Sequence, residues 1–433
     1  MLLLLSKSKN ITNNYLLIKI FIKMKKKFLS FFTAAILLTP FVLTSCNKDD
    51  DDNGSGNTET TVEKLSGSIT DSRTLDASVE YLLDGPLIVE EGGVLTIPAG
   101  TMIKAKKSFS SYILVLQGGK IYVNGTAEKP VTMTSAQANP DQGDWGGLII
   151  NGRAPLTRGD DGKSQIGSTE INSSFYYGGE IDNDNSGSLT YLILAYTGAR
   201  NSADVEHNGL TLNGVGNGTV IENIYIPNGA DDGIEFFGGT VNVKNLLVVN
   251  SDDDMFDITQ GWSGTLENCY GIWDANYSST EADPRGVEAD GNHDGNYPTH
   301  TRQADFTIKN MTIDLRLAPV AADHADFPWK SMQDVIKIRR GAKATIINAL
   351  VKGTGTAQDI IDMTDSKGAG DPSSVISLTN ALVNPFTGKA VNHNPAQLYN
   401  GVDAFGDDIS KLKIEDGNTG CPTSIFAWTG YQF

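Results

Sequence analysis

Histidine and cysteine are scarce in this chain, five and three among 433 residues. The histidines (His207, His293, His300, His324 and His393) show none of the paired spacings that metal-binding imidazoles use, so each reads as a loop or surface residue. Three cysteines cannot make a disulfide framework of the kind that staples small secreted domains. Also missing is an apolar run of the roughly 20 residues that a membrane-spanning helix needs. Basic residues are outnumbered, 34 against 52 acidic ones. Nucleic acid and anionic membrane bind through basic patches, so neither is an expected partner. Helical periodicity is nearly absent. Short β-rich runs and 46 glycines take its place and point to an all-β protein.

Four lysines fall between Lys23 and Lys27, and an apolar stretch from Phe28 to Leu43 follows, closed by Thr44, Ser45 and Cys46. A basic start, a short apolar stretch and small residues at the cut form an export signal. The last four residues resemble the lipobox of bacterial lipoproteins, which implies diacylation of Cys46, removal of residues 1–45 and an anchor in outer-membrane lipid. Met24 is the expected start, with residues 1–23 as extra leader. Removal of residues 1–45 takes away seven of the 34 basic residues and none of the 52 acidic ones, leaving 27 and a net charge of −25. Lys48 and Asp49 to Asp52 follow the cysteine, then a Gly, Ser, Asn and Thr stretch, so residues 46–65 read as a flexible acidic tether. A lysine followed by acids after such a cysteine is similar to the surface-export signal of Bacteroidetes lipoproteins, which implies a position facing the cell exterior. Export permits a bond between Cys269 and Cys421 but does not establish one.

A repeat emerges when the segments 218–226, 239–249, 264–272, 306–313, 344–351 and 376–383 are stacked. Each carries an asparagine between two apolar runs: Asn223, Asn245, Asn268, Asn310, Asn348 and Asn380. The first three are 22 and 23 residues apart, and later gaps widen as loops grow. A second short apolar element follows most copies, at 232–236, 254–258, 285–289, 334–338 and 359–363. Three short strands in about 22 residues make one coil of a right-handed parallel β-helix, in which each coil buries its apolar side only by stacking on its neighbours. A recurring asparagine can bond up and down such a stack through its amide. With this asparagine ladder the chain resembles the pectate-lyase-like β-helix superfamily. Trp145, Gly146 and Gly147 resemble a turn of β-helical lipoproteins from Bacteroidetes. The expected boundaries are 66–405 for the β-helix and 406–433 for a C-terminal cap.

Alternate residues of a strand face opposite ways. In the second element the apolar pairs point inward, so Glu235, Asp257, Glu288, Lys337 and Asp362 point outward in one column. Carboxylates stacked about 4.8 Å apart repel by about 1 kcal/mol even in water, so the column needs solvent, a cation or Lys337 to relieve it. Glu235, Asp257 and Glu288 are the candidate Ca²⁺ ligands, because converging carboxylates suit a hard cation. The aspartates that begin these strands can equally be turn residues bonded to backbone. Asp232, Asp253 and Asp254 look like the aspartates of polygalacturonases, and Lys337 with Arg339 could answer their basic pair. The Gly-His-Gly element of those enzymes is absent, and His293 lies in a loop. A lyase would take its base from Arg285, Lys337 or Arg339. Long loops at 274–284, 291–304 and 318–333 carry Trp273, Tyr277, Tyr297, Phe327 and Trp329, which suit either sugar stacking or coverage of the helix side. The expected function is the binding or handling of extracellular glycan by a surface-tethered β-helix. The alternatives are a polysaccharide lyase or polygalacturonase-like hydrolase, and a non-catalytic adhesion or envelope scaffold.

Overall fold

The computed structural model describes residues 62–202 and 205–433, so Cys46, the expected export signal and most of the expected tether lie outside the described residues. The chain winds into a right-handed parallel β-helix whose 24 stacked strands form one continuous sheet. Each coil has three faces. Face A holds strands such as Val94–Pro98 and Lys120–Asn124, and the first half of Val220–Pro227, Asn242–Val249, Thr265–Trp273, Asp305–Leu315 and Lys343–Gly353. The second half of those long strands forms face B. Face C runs through Trp145–Asn151, Leu210–Asn213, Ile234–Phe237, Phe256–Thr259, Arg285–Asp290, Ser331–Arg339 and Thr356–Asp362. Inward side chains from all three faces merge into a single core that reaches from Leu65 to Leu412. No helix among the described residues is long and apolar enough to cross a membrane.

The corner between faces A and B explains the asparagines. Asn223, Asn245, Asn268, Asn310 and Asn348 all have φ between 55° and 59°, left-handed values that asparagine tolerates better than other residues with a Cβ. Each amide donates to the side-chain oxygen one coil below, at 2.8, 2.9, 2.8 and 2.8 Å for Asn245, Asn268, Asn310 and Asn348. Asn380 is not the next rung. The register slips between Ile346 and Ala349, which sets Asn380 opposite Val351 instead. The Asn348 oxygen accepts from the backbone of Thr419 at 2.7 Å and so ends the ladder. A second, shorter ladder sits at the corner between faces B and C. Asn228 and Asn250 have φ of 59° and 58°, and Asn250 donates to Asn228 at 3.2 Å.

The helix is longer than its repeat implies. Strand Val62–Ile69 already pairs with Glu80–Val89, so residues 62–65 belong to the β-helix, and Leu412–Ile414 pairs with Val375–Leu382 as a last partial coil. Residues 415–433 therefore do not cap the end of the stack. They fold back as a strap over the outside of face B. Phe426 is buried there against Leu247, Val249, Tyr270 and Ile272, and Cys421 donates its N–H to Thr312 Oγ1 at 2.9 Å. Gly420 is required at the entry: its φ is +66° and a Cβ would lie 2.1 Å from Thr312 Oγ1. The strap has apolar residues to bury and the face-B wall exposes a matching apolar column, so lateral packing wins over end coverage. This geometry also separates the thiols. Cys269 points into the core and Cys421 lies on the outside of the same wall, so both are free.

Two further expectations change. Trp273 is fully buried and Tyr277 packs beside it, so neither is a surface aromatic. His207 is a core residue, packed 4.6 Å from Phe109 and bonded through Nε2 to its carbonyl at 3.0 Å; burial lowers its pKa to about 4. Trp145, Gly146 and Gly147 begin a face-C strand rather than form a turn, and Gly146 leaves room for this ring: a Cβ there would lie 2.7 Å from it. Replacing Asn268 tests the main ladder. Asn268→Ala removes one bond given and one received and must hold φ at +59°, which should cost about 2–4 kcal/mol. Asn268→Gly should recover about 1 kcal/mol of that, because glycine adopts positive φ freely. Urea unfolding midpoints that do not move in either variant would rule the ladder out as a source of stability.

Candidate functional site

Face C carries the charged column, and the pairing places it in register. Thr211, Glu235, Asp257, Glu288, Lys337 and Asp362 stand directly opposite one another, coil upon coil. The apolar residues that flank them, such as Ile234, Phe236, Phe256 and Ile258, are fully buried in the core, as the alternation requires. Two more columns run alongside. Asp232, Asp254, Arg285, Asp334 and Asp359 stand three positions before the outward residues, and Asp290 faces Arg339 at the strand ends.

Loops from both ends of its strands close as walls over this face, the floor. Loops at 196–209, 274–284 and 316–330 leave one end of its strands; loops at 152–186, 291–304, 363–374 and 393–411 leave the other. The walls cover the floor closely, so Glu235, Glu288 and Lys337 are only 8–9% exposed. Arg200 ties one wall together through Glu281 at 2.5 Å and Glu206 at 3.4 Å. On the other wall, an antiparallel hairpin of strands Gly167–Thr169 and Asn172–Tyr177 folds over the floor. Ile171 and Phe175 pack on Tyr112, Leu114 and Ile149, the outward face-C residues of earlier coils. The hairpin also brings an exposed carboxylate, Glu170, whose charge reaches Glu235.

The floor divides into two halves. Downstream, charges are paired. Arg285 lies 2.5 Å from Glu288 and 2.7 Å from Asp283. Arg339 binds Glu288 and sits 2.6 Å from Asp290, while Arg340 holds the other Asp290 oxygen at 2.6 Å. Lys337 sits 2.6 Å from Asp362 and 3.6 Å from Asp334. Of the sources of relief open to the column, Lys337 turns toward Asp362 on the next coil, and two arginines reach Glu288.

Upstream, carboxylates crowd together with fewer cations: Arg285 comes no nearer than 3.9 Å to Asp254, and the Asn208 amide donates to Glu235. Asp231, Asp232 and Asp253 form one group, Asp232, Glu235 and Asp257 a second, and Asp254, Asp257 and Glu288 a third, each with oxygens within 4.8 Å of one another. The groups share Asp232 and Asp257. Asp254 is 3% exposed, yet its Oδ1 has no hydrogen-bond partner among the described residues, and the same holds for one oxygen each of Asp253 and Asp257. Asp232 Oδ1 accepts from the backbone of Asp254 at 2.9 Å, so this turn aspartate bonds to the next coil rather than to its own turn.

Burial is the main cause that raises these carboxyls above the usual carboxylate range, and like charge adds to it. For Asp232 the neighbours are Asp257 and Asp231, for Glu235 they are Glu170 and Asp257, and for Asp254 they are Asp253 and Glu288. Asp257 is raised by burial and by Glu288, and its carboxyl lies within hydrogen-bonding reach of Glu235. Asp253 is pushed up to about 8. A low-dielectric cluster of this kind is stable with protons on it or with a hard cation in it. Its oxygen-only donor set suits Ca²⁺. The proposed ligands Glu235, Asp257 and Glu288 do share the face, but the tight groups recruit Asp232 and Asp254 as well.

The other candidate residues separate. Asp232 and Asp253 come together, whereas Lys337 and Arg339 lie on the downstream half, locked in ion pairs. Glu170 was not legible as a site residue, since only the fold of the 152–186 insertion brings it to the floor. The family model described as a pectate-lyase like beta helix domain matches residues 67–430 of the chain. Neither the search of curated proteins nor that of solved structures returned a match.

The upstream cluster fixes a pH dependence. Its carboxyls titrate higher in the fold than in the unfolded chain, so the fold binds more protons above pH about 4, and stability falls as pH rises through the folded values, up to about 8 for Asp253. In chelator, the apparent Tm should therefore drop between pH 5 and 8. Millimolar Ca²⁺ should restore it at pH 8 and do little at pH 5, where protons already neutralise the cluster. A Tm that rises with pH in chelator would contradict the uncompensated cluster.

Proposed function

The chain belongs to the pectate-lyase-like β-helix family, and from that premise we propose that it is a lipid-anchored protein that binds extracellular glycan with the help of a divalent cation. The observation that carries the reading is the in-register acidic floor of face C beneath two rows of loops, with Tyr297 and Trp329 exposed on opposite rows. Glu235, Asp257 and Glu288, with Asp232 and Asp254 beside them, hold the cation, Ca²⁺ by the chemistry of the donors. Cation binding removes the repulsion on the floor and braces the walls that meet the glycan.

Binding is favoured over cleavage because the basic groups are engaged. A lyase needs a base that can give up its proton, but Lys337, Arg339 and Arg285 each sit within 2.7 Å of a carboxylate. A polygalacturonase-like hydrolase needs Asp232, Asp253 and Asp254 open to a sugar chain, and the first and last of these are 7% and 3% exposed. The anchor rests on sequence. Diacylated Cys46 would hold the protein in the outer membrane, and the acidic tether behind it fits export to the outer face of a Bacteroidetes-type cell.

Glycan arrays probed with and without Ca²⁺ test the reading. Signal should appear with the ion and fall in chelator and in Asp257→Asn; absence of signal in both conditions would overturn it. Unsaturated products from polygalacturonate would replace it with the lyase reading. For the anchor, Cys46→Ser should move the full chain from the detergent phase to the aqueous phase on phase partitioning, and an unchanged distribution would refute lipidation.

A further inference from the structure

We propose that the wall beside the acidic floor carries a subsite for a single uncharged sugar ring, an inference that rests on the glycan-binding reading and adds a ligand class to it. A cavity of about 190 Å³ opens between the base of the hairpin and the turn near Tyr297, lined among others by Gln165, Ile166, Ser168, Gln260, His293 and Tyr297. Sites for drug-sized ligands take roughly 300–1,000 Å³, so this one has the size for one pyranose unit.

The lining decides the chemistry. None of its side chains is a carboxylate, a lysine or an arginine. A charged sugar would enter without a counter-ion, next to a floor of acids that repels anions. Uncharged hydroxyls meet no such cost. The amides are oriented to receive them. Gln260 is 5% exposed, and its Oε1 accepts from the Tyr177 hydroxyl at 3.0 Å, which fixes the amide and leaves its NH₂ group with no partner among the described residues. Gln165 repeats the arrangement: its Oε1 accepts from Thr157 Oγ1 at 2.5 Å, and its NH₂ group is likewise left over. Two oriented donors, with the Ser168 hydroxyl and the His293 ring at the edge, match the vicinal oxygens of a pyranose.

The platform is also in place. Tyr297 is exposed and backed by His300, 4.7 Å away and nearly parallel at 25°. Its backbone N–H donates to Asn292 Oδ1 at 2.8 Å, which anchors the turn. A ring held from behind gives the apolar face of a sugar a surface that needs little ordering on binding. Tyr177 connects the subsite to the floor, because it packs on Phe237 in the strand that carries Glu235. A glycan that places one neutral unit here continues along the loops above the floor.

Calorimetry and saturation-transfer NMR with the methyl glycosides of glucose, galactose, mannose and N-acetylglucosamine, in Ca²⁺ and in chelator, test the subsite on the full chain. At least one should bind with a Kd on the order of millimolar in both conditions. Tyr297→Ala should weaken it about tenfold or more and Tyr297→Trp should keep it; Tyr297 is exposed, so these variants fold. Methyl glucuronide should bind at least about tenfold more weakly. No binding by any of the four, equal binding by Tyr297→Ala, or preference for the glucuronide would overturn the proposal. Glycoside binding in chelator without any array signal would reject the cation-dependent reading and leave the subsite standing, while an array signal without glycoside binding would do the reverse.

Discussion

Parallel stacking in register is the constraint on which the rest of the structure depends. Each coil lies about 4.8 Å above the last, and every side chain has its counterpart directly above and below. A favourable contact in one coil therefore repeats, and so does an unfavourable one. The corner between faces A and B shows the favourable case. The chain must turn through positive φ at each coil, asparagine accepts that turn, and its amide then finds another amide one step away. Five asparagines form four such bonds because the fold places the same demand on each of them.

Face C shows the unfavourable case and two ways out of it. Glu235, Asp257 and Glu288 stack as directly as the asparagines do, but like charges gain nothing from it. From Glu288 onward the chain interleaves arginine and lysine, so that Arg285, Arg339 and Lys337 divide the neighbouring carboxylates among themselves. Partly buried pairs of this sort offset their own desolvation only when geometry and hydrogen bonds are good. The distances here meet that condition. Before Glu288 the outward column holds only the acids Glu235 and Asp257, Arg285 reaches back no closer than 3.9 Å to Asp254, and the hairpin adds Glu170 above an already acidic floor. A fold that needed only stability could have placed threonine there, as it does at Thr211 one coil earlier. Retention of acids at the most crowded point of the stack is what makes that half of the floor a functional candidate.

The sequence made visible whatever follows from local alternation. The fold class, the ladder from Asn223 to Asn348 and the outward column all depend on spacing within one strand, and each appears at its expected place. What it concealed depends on contacts between distant segments. Asn380 has the right neighbours in sequence, but a bulge between Ile346 and Ala349 shifts its register. Trp273 occupies a loop border by sequence and the core by structure. The strap from 415 to 433 finds its place through apolar residues on coils more than a hundred positions earlier. Glu170 reaches Glu235 only through the fold of a long insertion. Asn228 and Asn250 were in principle readable, since they too repeat at 22 residues, but they sit at the end of the strand where the eye reads a loop.

Coverage of the floor bears on how such a protein can meet a polymer. Asp232, Glu235, Asp254 and Glu288 are at most 9% exposed beneath the two rows of loops, so these acids of face C act on a ligand through what they organise. Their immediate neighbours are the walls: Asp252 accepts from Thr280 and Tyr277, Arg285 grips Asp283, and Gln260 beneath the hairpin holds Tyr177. Neutralising the floor, by proton or by cation, therefore changes the repulsion under loops that carry the exposed groups. A rigid β-helix supplies the register and the floor supplies the charge. The variable loops, free of the stacking constraint, are the part of the molecule whose side chains can be chosen for a ligand rather than for the coil below.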